Sequence, residues 1–119
     1  MELTRLEKYK NQFKDLSEKI SSLQSFLGTL GGGRSNAILT PYVVSVKLHI
    51  PETDAFFLLS LAAREDIVHK KFQVWTEDHN LLGDFESTNS IPETLTDMQS
   101  GKEVDRDHFF VDVVFELEK

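Results

Sequence analysis

The sequence predicts an α+β protein, with an N-terminal coiled-coil helix followed by a small, mainly antiparallel β-rich head, either a sandwich or a sheet with one short helix. Three observations lead there. Apolar residues repeat in heptads from Leu6 to Leu30, a glycine cluster follows, and the last residues alternate as a strand. The expected division is a coiled-coil stem over 1–30, a Gly-rich hinge over 31–40 and a β-rich globular head over 41–119.

The stem rests on Leu6, Tyr9, Phe13, Leu16, Ile20, Leu23, Leu27 and Leu30, which are spaced 3, 4, 3, 4, 3, 4 and 3 residues apart. A 3.5-residue period places these eight on the seam between two helices, where they are the expected dimerisation residues. The intervening Glu7, Lys8, Asn11, Lys14, Asp15 and Glu18 are polar. At 1.5 Å per residue the seam is roughly 38 Å long. In a parallel homodimer the flanking positions pair Arg5 with Lys10, Gln12 with Ser17 and Lys19 with Gln24, none of them a salt bridge, so homodimer and heterodimer both stay open. The repeat starts abruptly after Met1, as expected of a fragment of a larger complex subunit.

Gly28 and the run Gly31-Gly32-Gly33 end the helix, since glycine supplies the left-handed cap and has the poorest helix propensity after proline. A phosphate-cradling loop would need a following Lys-Ser/Thr pair, which Arg34 does not supply.

In the head, Val44, Val46, Leu48 and Ile50 alternate with polar residues and read as a strand ended by Pro51. The apolar run Phe56 to Ala62 reads as a buried strand, with a helix capped by Thr53 or Asp54 as the alternative. Lys71 to Glu77 and Leu81 to Phe85 form a hairpin across Asp78-His79-Asn80. Pro92-Glu93-Thr94 opens a short helical turn holding Leu95 and Met98, and Gly101 to His108 is a solvated loop. Phe109, Val111, Val113, Phe115 and Leu117 face inward on the last strand, whose other face is partly covered through Phe110 and Val114.

Charge bears on function. The net charge is −7, with +1 over residues 1–30 and −8 over the remainder, and an acidic head repels phosphate backbones. No nucleic acid is therefore expected as partner, and with no apolar run near about 18 residues, no membrane either. The charged N-terminus is no secretory signal, so an intracellular protein, cytoplasmic or nuclear, is expected. Without cysteine there are no disulfides and no thiolate chemistry.

The four histidines, His49, His69, His79 and His108, are dispersed without metal-ligand spacing. Asp105, Asp107 and His108, with Glu103, could hold a divalent ion, but a solvated acidic loop is the simpler reading. No cofactor is expected, and neither a serine elbow nor a paired carboxylate in a core context points to an enzyme. Trp75, the single tryptophan, and Phe110 are the possible partner-binding residues, because aromatic side chains dominate interaction hot spots.

In outline, a coiled-coil stem feeding a small head resembles kinetochore subunits with an RWD-like head, although this chain ends on a strand and not a helix. It is also similar to adaptor proteins whose coiled coil leads into an appendage-like β-sandwich. The expectation is a non-enzymatic scaffold module, paired with a partner helix through its stem and docking other proteins with its head. A small metal-binding or enzymatic domain with a site at the dimer interface is the alternative.

Overall fold

The computed structural model describes residues 2–30 and 37–117, which fall into two compact units. The first comprises Met1–His69 with Phe115–Lys119, the second Lys70–Val114. The Gly31-Gly32-Gly33 run and Arg34 lie outside the described residues.

In the first unit the expected continuous helix is broken. A 3-10 turn at Leu3–Leu6 leads into α1 (Glu7–Gln12), a second 3-10 turn spans Lys14–Leu16, and α2 follows (Ser17–Leu30). The break lies at Phe13, whose backbone leaves the helical region at φ −126°, ψ 73°. Its ring is held between two others: Phe57 meets it edge-on at 5.1 Å between centroids, and Tyr9 stacks at 6.3 Å. The N-terminal segment then folds back along α2. The Gln24 amide donates to the Leu3 carbonyl at 3.0 Å and to Glu7 Oε1 at 3.1 Å, and a Cβ on Gly28 would lie 3.6 Å from Leu3 Cδ1.

Leu6, Tyr9, Ile20, Leu23 and Leu27 are buried within the one chain, Leu27 completely, while Phe13, Leu16 and Leu30 are half-buried. An apolar stripe of this rhythm is satisfied equally by another chain or by the protein's own neighbouring elements.

Two further helices replace two expected strands. Helix α3 (Pro41–Leu48) covers most of the segment read as alternating. Thr40 Oγ1 accepts from the Val43 N–H at 3.1 Å, Pro41 occupies the first helical position, and His49 closes the helix in the left-handed conformation at φ 57°. A capped start, a proline pre-set for the first turn and a left-handed stop outweigh the β-branched composition of so short a segment. Helix α4 (Glu52–Arg64) contains the Phe56 to Ala62 run. Ala55, Leu58, Leu59 and Ala62 are all fully buried at helical spacing, and Glu52 and Asp54 sit in the first turn, where acids favour a helix.

Strand β1 (Ile38–Leu39) falls within the expected hinge; it precedes α3 and pairs antiparallel with the last strand, Ile38 opposite Glu116 and Leu39 opposite Phe115. That last strand, β6 (Phe109–Leu117), and β2 (Val68–Thr76) each run from one unit into the other. With β3 (Leu81–Phe85) they complete a sheet of order β1-β6-β2-β3. The β2–β3 hairpin forms as the sequence predicts. The Thr76 N–H donates to the Asn80 carbonyl at 2.9 Å, and His79 takes a left-handed conformation at φ 66°.

The rest of the second unit differs from expectation. Leu95 lies on a strand, β4 (Thr94–Thr96), where a helical turn was expected, and Met98 is 88 % exposed. The expected loop contains β5 (Glu103–Asp105), which pairs antiparallel with β4. Three-residue strands are too short for a periodicity to be legible. Val74, Ile91 and Phe109 form this unit's buried core, flanked by the partly buried Phe72, Phe85, Leu95 and Val104.

Candidate functional site

Both partner-binding candidates named from the sequence line one groove in the second unit. Trp75 on β2 and Phe110 on β6 face it together with Thr76, His79 and Asp112, enclosing about 570 Å³. Strand geometry explains the grouping. Val74 and Phe109 point into the core, so their neighbours Trp75 and Phe110 point to the opposite face, and Asp112 shares a face with Phe110. The register slips between Val74 and Trp75, where β3 pairs Gly83 with the one and Leu81 with the other. Such a bulge re-aims a side chain.

Phe110 is 59 % exposed, which corrects the expected cover over it, and Val111, expected inward, is also exposed. Trp75 is half-buried, and its Nε1 is buried without a hydrogen-bond partner. Buried donors left unpaired are rare in native structures. They cost about 1–3 kcal/mol.

Next to this groove, and sharing Thr76 with it, lies a polar cavity of about 330 Å³. Glu77, Asp78, Asp97, Glu103 and Asp105 line it, with Lys102 and His108 as its basic members. Asp97 is the organising residue. Buried in the turn after β4, it accepts from the Gln99 N–H at 3.0 Å, the Ser100 hydroxyl at 3.0 Å and the Asn80 amide at 3.2 Å. Those bonds, the Asn80 amide first, hold its carboxyl below the usual aspartate range. Sequence reading missed Asp97, although an Asp followed by Met-Gln-Ser-Gly is a recognisable turn signal. His108 Nδ1 lies 3.7 Å from Glu77 Oε1, and Arg106 pairs with Glu93 at 3.5 Å while donating to the Ile91 carbonyl. Among the described residues, no three His, Cys, Asp or Glu side chains are grouped to hold a metal ion.

The first unit has a second charged cluster, at the end of α4. Glu65 accepts from the Tyr9 hydroxyl and pairs with Lys8 at 3.0 Å, and Arg5 donates to its backbone carbonyl at 3.1 Å. The Tyr9 hydrogen bond, then Lys8, holds the Glu65 carboxyl below the usual glutamate range, and the same bond pushes the Tyr9 phenol up. With Lys19 on Asp54 at 2.6 Å, this clamps the N-terminal segments to both ends of α4. Every member is engaged in holding the fold, so the cluster reads as structural.

No family model, curated protein or solved structure matches this chain. Among the described residues, no helix is long and apolar enough to cross a membrane.

Proposed function

We propose that this chain is a non-enzymatic protein-interaction module that docks a partner protein in the Trp75–Phe110 groove. One observation carries the reading: a phenylalanine near the start of β6, 59 % exposed, stands beside the only tryptophan of the sequence in an open groove. Large aromatic side chains contribute disproportionately to binding when a partner desolvates them.

A protein partner fits better than nucleic acid. Helices α3 and α4 are joined by the short turn His49–Pro51, as in helix-turn-helix proteins, whose second helix enters the major groove. Here the first turn of that second helix carries Glu52 and Asp54, and its exposed residues include Phe56 and Phe57. Acids and phenylalanines at that position repel or ignore phosphate. A dimerising coiled coil is not needed for this reading, because five of the eight seam side chains are already buried within the chain.

Trp75 makes the test direct, because its fluorescence reports on the groove alone. Peptides selected for binding from a displayed random library should shift the Trp75 emission saturably, and Phe110→Asp should abolish that shift. Binders that leave the emission unchanged and tolerate Phe110→Asp would place the docking surface elsewhere and sink the proposal.

A further inference from the structure

We infer that the occupant of the Trp75–Phe110 groove is a basic segment that lays an arginine side chain against the two rings, with its guanidinium at Asp112. This inference rests on the docking reading above and specifies its ligand.

Charge complementarity selects the occupant. The second unit, Lys70–Val114, contains ten acidic and four basic residues, a net charge of −6 out of the chain's −7. The acids gather where the groove is. Asp112 lines the groove itself, and five more carboxylates line the cavity that meets it at Thr76. Asp97 is held ionised by three hydrogen bonds, so part of this negative potential is fixed in place. Little basic charge offsets it. Arg106 is engaged by Glu93 and the Ile91 carbonyl, and Lys102 is the only lysine or arginine lining either cavity. An acidic partner segment would bring like charge against this surface, whereas a basic one is drawn to it.

The groove's own chemistry narrows the residue. Two aromatic side chains beside one carboxylate form a site in which a cation meets ring faces and a counter-ion together. Guanidinium suits it best, being planar, weakly hydrated and able to stack on a ring while donating two parallel hydrogen bonds to a carboxylate.

The experiment uses the full chain and three capped tetrapeptides: Arg-Leu-Arg-Leu and its citrulline and glutamate counterparts. Citrulline keeps the shape and removes the charge. Arg-Leu-Arg-Leu should shift the Trp75 emission saturably. The citrulline peptide should bind at least about tenfold more weakly, the glutamate peptide not at all, and raising salt from 50 to 500 mM should weaken the arginine peptide by about tenfold. Asp112→Asn should weaken the arginine peptide about fivefold and leave the citrulline peptide unchanged, while Phe110→Ala should remove both responses. Equal binding of the arginine and citrulline peptides, or an arginine affinity indifferent to Asp112→Asn, overturns the inference. A glutamate peptide that binds as tightly as the arginine peptide and depends on Phe110 overturns it while leaving the docking reading intact. If none of the three peptides moves the emission, the inference fails, and the docking reading is decided by the library-selected peptides.

Discussion

The two units of this chain divide burial and charge unequally. Among the described residues, all buried apolar side chains lie in the first unit except Val74, Ile91, Phe109 and Val114. The first unit is also close to neutral, with nine basic and ten acidic residues against four and ten in the second. Burial on that scale orders a fold, whereas concentrated like charge opposes compaction and attracts partners. The contrast assigns the larger share of folding stability to the helical unit, and the proposed function would place recognition in the acidic one.

The largest test of that contrast is Leu58→Ala. Leu58 is completely buried on α4, and truncating it should lower unfolding stability by about 2–5 kcal/mol in a denaturant titration. A cost below about 1 kcal/mol would show that the first unit is not the main source of stability. Ile91→Ala should cost less, about 2 kcal/mol, because its cluster has only two other buried members and can collapse around the cavity. Hydrogen exchange should then speed up in β4 and β5 while α4 is unaffected. Equal acceleration in α4 would show the units opening as one and break the comparison.

Acid sharpens it further. The Asp97 carboxyl has its proton affinity lowered from the usual 3.8 by folding. Its stabilising contribution is therefore complete above about pH 4 and disappears as pH falls through the lower folded value. Glu65 behaves alike in the first unit, held down by Tyr9 and Lys8. Asp97→Asn should flatten the acid-induced loss of order in the 97–102 turn, followed by amide shifts of Gln99 and Gly101, without altering the titration of Glu65. A turn whose acid response survives Asp97→Asn would locate the sensitivity in another carboxylate.

Much of the second unit was legible in the sequence because its signals are local. The Asp78-His79-Asn80 turn, the strand before it and the final strand each declare themselves by alternation and turn chemistry within ten residues. Trp75 and Phe110 stood out by residue type, and the sheet brought them into one groove. Helices α3 and α4 were missed for a different reason. Val44, Val46, Leu48 and Ile50 satisfy a strand template over seven residues; of the deciding signals, Thr40-Pro41 lies outside that window, and His49 lies inside it as one more polar position. In α4 the paired phenylalanines drew attention to the wrong face, while Ala55, Leu58, Leu59 and Ala62 held the helical period. Of the seam residues over 6–30, five are buried within the chain, which a heptad pattern alone does not indicate.

By itself the sequence determined the apolar stripe from Leu6 to Leu30, the acidic bias after it, the hairpin and the final strand, because each depends on residues close together in the chain. Only the tertiary structure decided that the stripe turns at Phe13 and is buried within its own chain, since a heptad states how a helix is greasy and not whose surface covers it. Tertiary structure alone also decided that Phe110 stays exposed beside Trp75 and Asp112. A strand's period fixes which residues share a face, but only packing settles which face is left open.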